Sequence, residues 1–360
     1  MLVNEGLKPA IDLITVPNSP EVHEIDVRSY LGDLPESQFL VYSPSALRRL
    51  GIDGQDYASR GVSDLDTSIA LTALLEVEIP QTCQEIAVFG AGRAIDMAKY
   101  LGHIHMREVN VVPSLLSTNA LGTPFGCYED SAQDHTKTTI TTGYARRILV
   151  DYDHLEAQGR GAGLYGLADA LSITTALRDW DLAIEQDPSV EDADVYAIAK
   201  TIEKSCLDQI DSDQLDIRSV FNLIVNSAYI TGLHGSGRPE SGSEHIFSKV
   251  LELATMREGG RVMHGQSVGL GILLMATLQH NPRTQELFSA VRSLEFLAEF
   301  AGDQDALKQR AAKILTQIMP HNVRYSVVDA ELENLRDPEF SSDLASEVVN
   351  RLFCSGVEKS

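Results

Sequence analysis

The chain has 360 residues, of which 43% are hydrophobic and 22% charged, with a formal net charge of −23. That length exceeds one ordinary core, so two domains are expected. So acidic a chain argues against binding nucleic acid through its phosphates and against docking on anionic membranes. Its four cysteines, Cys83, Cys127, Cys206 and Cys354, make no Cys-x-x-Cys pair, which suits free thiols in a reducing compartment. Met1 to Glu5 show no basic region leading into an apolar core, and no apolar run reaches the roughly 18 residues of a membrane span. A cytoplasmic protein acting on a small molecule is expected, as a homo-oligomer.

Residues 1–36 are polar and broken by Pro9, Pro17, Pro20 and Pro35, which predicts edge strands or a lead-in arm. Phe39 to Tyr42 reads as a buried strand. Pro44 or Ser45 then opens a helix that Gly51 ends. A second helical pattern starts at Ser63–Asp66, with Ile69, Leu71, Leu74 and Leu75 apolar. Glu85 to Phe89 is the next buried strand, and it runs into Gly90-Ala91-Gly92 and a helix. Glycines at such a turn let the backbone approach a ligand, and the helix aims its N-terminal amides at whatever sits there. A pyrophosphate is the natural occupant, although many such turns are purely structural. Val109 to Val112 is a further strand, followed by Pro113-Ser114-Leu115-Leu116-Ser117-Thr118-Asn119. Thr138–Thr142 and Arg147–Asp151 look like hairpin and sheet strands.

A loop at Gly159–Gly163 is expected to divide the chain into residues 1–155 and 156–360. From there the pattern is helical, with helices over Val190–Ile210 and Ile217–Gly232 and more from Thr284 to Phe353, broken near Pro320-His321. Between them, Gly235-Ser236-Gly237-Arg238-Pro239-Glu240-Ser241-Gly242-Ser243-Glu244-His245 feeds a helix start. Val262-Met263-His264-Gly265-Gln266 opens another, nineteen residues on (264 − 245). Neutral imidazole is a common metal ligand. On spacing alone the two histidines are either ligands of one ion or a hydrogen-bonded pair where helices pack.

Ser-Gly-Arg-Pro-Glu-Ser-Gly-Ser-Glu-His ending at His245, with His264-Gly-Gln-Ser-Val-Gly-Leu-Gly, resembles the metal-binding half of glycerol-1-phosphate dehydrogenases. That family lies in the iron-containing alcohol dehydrogenase and dehydroquinate synthase superfamily. The likeness runs from about Gln38 to Ala276. It implies an α/β N-terminal nucleotide-binding domain plus an all-α C-terminal metal-binding domain, dehydroquinate synthase-like. Gly90, Ala91, Gly92 and Asp96 match a Gly-Gly-Gly-x-x-x-Asp-x-Ala-Lys motif, with Ala91 where a glycine is usual. Ser43, Ser114, Ser117 and Thr118 complete the cofactor set that the resemblance implies. Asn119 then stands near the substrate and nicotinamide.

Asp169, in Gly166-Leu167-Ala168-Asp169, is the third metal ligand on the same ground. Without the resemblance it is a helix-start carboxylate serving the dipole. Three ligands leave an open position, as in a catalytic zinc site, and iron or nickel suits the same donors. A fourth ligand usual in some members falls at Ile173, and a second histidine at Lys249, which becomes a candidate catalytic cation. The resemblance thus implies a metal-dependent NAD or NADP dehydrogenase of a small, phosphorylated polyol. The alternative is a sugar-phosphate cyclase of the dehydroquinate synthase type, using NAD transiently. Gly122-Thr123-Pro124 in place of Gly-Gly-Lys, and aspartate at 169 in place of glutamate, favour the dehydrogenase.

Overall fold

The computed structural model describes residues 11–64, 70–130, 136–210, 216–260, 262–294, 303–320 and 324–353. Leu65 to Ile69, Arg261, His321 and Cys354 lie outside the described residues. Eight strands occur among those described: β1 Glu21–Glu24, β2 Gln38–Tyr42, β3 Gly61–Ser63, β4 Glu85–Gly90, β5 Glu108–Pro113, β6 Phe125–Asp130, β7 Thr136–Thr141 and β8 Arg147–Val150. Six form one sheet in the order β1-β8-β5-β4-β2-β3, and every pair in it is parallel. Parallel strands are covered on both faces, which explains why β2 and β4 are runs of buried residues with no polar alternation. β6 and β7 form a separate antiparallel pair. Of these, β6 was not evident in the sequence, and β7 pairs with it while β8 joins the main sheet.

From β2 the chain steps outward to β3 and then returns to β4 on β2's other side. The loops after β2 and β4 therefore flank the switch point of the sheet, where parallel α/β folds hold ligands. The helix expected from Ser63 onward is described only as a single turn, Leu71–Leu74, with Leu75 exposed. The loop expected at Gly159–Gly163 is instead the start of a helix, Arg160–Leu171. Gly159 turns into it at φ +81°, and a Cβ on Gly166, inside the helix, would stand 2.4 Å from the Leu116 carbonyl oxygen.

Beyond β8 the described chain is helical. Helices Arg160–Leu171, Ile173–Gln186, Ala193–Ile210, Ser243–Arg257, His264–Leu278, Thr284–Ser293, Gln304–Gln317 and Pro338–Phe353 share one large core. Ile217–His234 joins this core to the sheet. Its Val220, Phe221, Ile224, Val225 and Tyr229 pack on the sheet side, while Leu223 and Ile230 face the helices. Asp216 caps it by accepting from the Arg218 and Ser219 amides. Among the described residues no helix is long and apolar enough to cross a membrane.

His264–Leu278 is apolar on nearly every side, the mark of a helix buried all round. Its glycines set how near its neighbours come. A Cβ on Gly265 would stand 2.3 Å from the Tyr165 carbonyl oxygen, and one on Gly271 2.6 Å from that of Glu244. Both obstacles are backbone, so neither can swing aside. Gly271→Val is expected to destabilise the protein by about 3 kcal/mol through overpacking. Denaturant melts check this, and a variant as stable as the parent would show that the two helices separate freely.

Candidate metal centre and active site

Three helices deliver the triad. Asp169 lies near the C-terminal end of Arg160–Leu171, His245 is the third residue of Ser243–Arg257, and His264 opens His264–Leu278. Their ligand atoms lie within 4.8 Å of one another. His245 Nε2 is 3.2 Å and His264 Nε2 3.3 Å from the same oxygen, Asp169 Oδ1. Asp169 is therefore not a helix-start carboxylate. It sits at the negative end of its helix, where the dipole opposes an anion, and needs cationic company. Its other oxygen accepts the Asn119 N–H at 2.9 Å.

The outward nitrogens of both rings are held by carboxylates. His245 Nδ1 is 2.8 Å from Glu244 Oε1, and His264 Nδ1 is 2.7 Å from Glu252 Oε1. A proton kept at Nδ1 leaves the Nε2 lone pair facing the centre, which is how a carboxylate orients a ligating imidazole. Both carboxylates are anchored in turn. Glu244 accepts from Thr175 Oγ1 at 2.7 Å and the Gly242 N–H at 2.6 Å. Glu252 accepts from the Ser248 and Ser267 hydroxyls at 3.1 and 2.8 Å and pairs with Lys137 of β7. These donors fit a divalent ion: one carboxylate oxygen and two oriented imidazoles converging on one point.

Burial alone would lower the His245 pKa. Hydrogen bonds to Asp169 and Glu244 outweigh burial and push it up to about 9. Burial works against His264 too, and Glu252 and Asp169 raise it well above the ordinary value. Asp169 is raised by burial but held below the usual carboxylate range by His264 and His245. In metal-free protein the protonated rings take the place of a cation. The raised pKa of His245 stabilises that form fully below about pH 6.5, and its contribution is lost as pH rises through about 9; His264, raised well above the ordinary value, acts in the same direction. A bound ion requires neutral rings, so it displaces protons and binds more tightly over the same window. The Tm difference between metal-loaded and metal-free protein is expected to widen from pH 6.5 to 9. A difference that narrows would count against these histidines as ligands.

The expected cofactor residues gather at the carboxyl ends of the strands. Ser43 follows β2, and its N–H donates to Phe89 O at 3.0 Å, beside Gly90. The Ser114 N–H donates to Gly90 O at 2.8 Å, which ties the loop after β5 to the loop after β4. A Cβ on Gly92 would lie 3.2 Å from Thr118 Oγ1. Ser114 and Ser117 are buried in this loop. Ala91 has φ −120°, which any residue adopts, so the glycine usual there is not required. The N-cap residue Ala91 has no side chain that caps the helix Gly92–His105, a start that suits an anion. Asp96 is engaged elsewhere: it accepts the Cys127 N–H at 3.3 Å and lies 3.9 Å from Lys99 Nζ, holding β6. Burial pushes its pKa up to about 6. Asn119 meets the triad through its backbone N–H. Lys249, half-buried one turn after His245, lies with Lys137 in electrostatic reach of the Cys127 thiol.

The structure thus brings Asp169, His245, His264 and Asn119 together, with the strand-end loops grouped at the sheet's switch point. Sequence reasoning missed Glu244, Glu252 and Lys137. Glu252 stands seven residues after His245 (252 − 245), two helical turns along one face, which is a legible signal. Lys137 comes from the hairpin, and nothing in its neighbourhood announces it.

No protein-family model matches the chain. Its fold is that of the iron-containing alcohol dehydrogenases. A probable glycerol dehydrogenase from Sinorhizobium meliloti aligns over 93% of this chain and 98% of its own, with a TM-score of 0.65 at 14% identity. A sulfoacetaldehyde reductase from Bifidobacterium kashiwanohense, solved with NAD+, aligns over 96% and 99% with a TM-score of 0.59 at 12% identity. In sequence the chain is a homologue of the NAD(P)+ glycerol-1-phosphate dehydrogenases. It is 28% identical to that of Pyrobaculum aerophilum over 77% of this chain and 82% of the relative. It is 25% identical to that of Sulfurisphaera tokodaii over 84% and 88%.

Proposed function

We propose that this protein is a metal-dependent, NAD(P)-linked dehydrogenase that interconverts a small phosphorylated polyol of the glycerol-1-phosphate kind and its ketone. The observation that supports this most is the convergence of His245 Nε2 and His264 Nε2 on one oxygen of Asp169. Homology to glycerol-1-phosphate dehydrogenases selects the substrate class. A divalent ion, zinc first with iron or nickel as alternatives, supplies Lewis-acid polarisation of the substrate oxygen, and the nicotinamide supplies hydride exchange. Asp169, His245 and His264 hold the ion, while Glu244 and Glu252 keep protons at Nδ1. Gly90, Ala91 and Gly92 let the pyrophosphate approach the uncapped helix start. Ser114, Ser117 and Thr118 line the nicotinamide side, and Asn119 fixes their loop to Asp169. Lys249 supplies a cation near the substrate. In this assignment residues 1–155 bind the cofactor and 156–360 carry the ion.

The protein is expected to oxidise reduced nicotinamide stoichiometrically with the phosphorylated hydroxyketone. A cyclase would turn over with no net change in cofactor absorbance. Product accumulating with flat absorbance would overturn the dehydrogenase assignment.

Cofactor choice is expected not to be strict. Strict NAD enzymes carry a carboxylate after the first strand to bind the ribose and repel a 2′-phosphate. Here Ser43 is neutral and Arg48 is exposed one helical turn on. NADH and NADPH should therefore differ in kcat/KM by less than roughly a thousandfold, about 4 kcal/mol. A larger preference for NADH would reveal another group that excludes the phosphate.

A further inference from the structure

The helix Gly92–His105 carries Gly92, Asp96 and Lys99 at i, i+4 and i+7, along one face. That face meets the chain from Thr118 into β6 at three successive points. Gly92 sits against Thr118, whose Oγ1 would stand 3.2 Å from a Cβ there. Asp96 accepts the Cys127 N–H at 3.3 Å, and its own carbonyl oxygen accepts the Tyr128 hydroxyl at 2.8 Å. Lys99 Nζ donates to the Ala120 carbonyl oxygen at 3.2 Å and to that of Phe125.

The same stretch also rests on the helix that carries Asp169. The Gly166 N–H donates to the Leu116 carbonyl oxygen at 3.1 Å, and the Asn119 N–H donates to Asp169 Oδ2 at 2.9 Å. Asn119 is thus flanked by Thr118 and Ala120, the two residues that Gly92 and Lys99 meet. Lys99 itself is 2% exposed. Burial pushes its pKa down to about 8, and Asp96, 3.9 Å away, opposes that fall. An ammonium in such a place is costly, and a methionine of similar shape would fill the space without that cost. What the lysine adds is direction. Two of its three N–H bonds fix the Ala120 and Phe125 carbonyl oxygens in one arrangement.

We propose that Lys99 is a positioning residue that couples the dinucleotide loop to the metal centre, by holding residues 118–125 so that the Asn119 N–H meets Asp169. The coupling rests on the reading of Gly90, Ala91 and Gly92 as the cofactor loop and of Asp169 as a metal ligand. A nucleotide that orders Gly92 and Thr118 orders the donor to Asp169 as well. Each occupant lowers the ordering cost of the other, and the effect is reciprocal.

The test is calorimetric titration of the full-length protein with NADH, or with NADPH if that binds more tightly, with and without bound zinc. Zinc is expected to tighten nucleotide binding about fivefold or more, the lower end of ordinary coupling between sites. In Lys99→Met/Asp96→Asn, which removes both charges and leaves an acceptor for the Cys127 N–H, the ratio should fall to about one. Zinc alone, read by chelator competition, should bind that variant several-fold more weakly. Leu335→Ala, in the core of the C-terminal helices, should lower the Tm and keep the parent's ratio. A ratio lost there too would reduce the effect to lost stability and overturn the role of Lys99. If the double variant does not fold by circular dichroism, hydrogen exchange of the parent decides. Zinc alone should slow exchange across residues 92–99 and 118–125, and no slowing across 92–99 overturns the proposal. Nucleotide that binds equally with and without zinc, or a double variant that keeps the parent's ratio, overturns the coupling and leaves the cofactor reading intact. Protein that binds zinc but neither nucleotide overturns both.

Discussion

Asp169→Asn is expected to strip the protein of its divalent ion and to lower kcat/KM by at least about a thousandfold, roughly 4 kcal/mol of transition-state stabilisation. The substitution is nearly isosteric. Its amide oxygen can still accept the Asn119 N–H, so the loop after β5 keeps its anchor. What disappears is the negative charge at the one oxygen on which both Nε2 atoms converge. Two neutral imidazoles and an amide make a much poorer site for a hard or borderline divalent ion. Metal analysis after dialysis, with circular dichroism to confirm the fold, checks this. A folded variant that retains one ion per chain at full activity would remove Asp169 from the ligand set.

The sequence made much of this legible because the site sits on strong local signals. β2 and β4 carry continuous apolar runs and β5 one broken only by Asn110, and they end in Ser43, Gly90 and Ser114, so their carboxyl ends were readable as ligand loops. His245 and His264 stand at helix starts that glycines and an apolar run announce. What could not be read depends on long-range packing. Glu244 orients His245 only because Thr175, from another helix, holds its second oxygen. Lys137 reaches Glu252 only because β6 and β7 pair into a ribbon that carries it to the helix Ser243–Arg257. Asp169 was readable as a ligand by resemblance, while its place near a helix C-terminus, which makes the charge costly without a cation, needed the fold. The glycine-rich start of Arg160–Leu171 read as a loop because propensity disfavours glycine in helices, and the close approach of Gly166 to the Leu116 backbone is a long-range contact that the local sequence does not carry.

Glu252→Gln is expected to weaken metal affinity by about 10- to 100-fold, the usual effect of removing a carboxylate behind a ligating histidine. Glu252 holds four groups at once: His264 Nδ1, the Ser248 and Ser267 hydroxyls, and Lys137 Nζ. Burial would raise its pKa, yet His264 and Lys137 hold it well below the ordinary value, so it is an anion at neutral pH. Glutamine keeps one acceptor for the hydroxyls and loses the charge. His264 then no longer has an anion to fix its proton at Nδ1, and Lys137, half-buried, loses its ion pair with Glu252. Breaking such a pair from one side is costly, about 3–5 kcal/mol when fully buried. Chelator competition reads the affinity, and denaturant melts of the metal-free protein read the stability. Lys137→Met should restore part of the stability in the Glu252→Gln background without restoring affinity, because it removes the cation that faced Glu252 but leaves His264 unoriented. If the double variant recovers metal affinity as well, the carboxylate acts through Lys137 and not through the ring of His264.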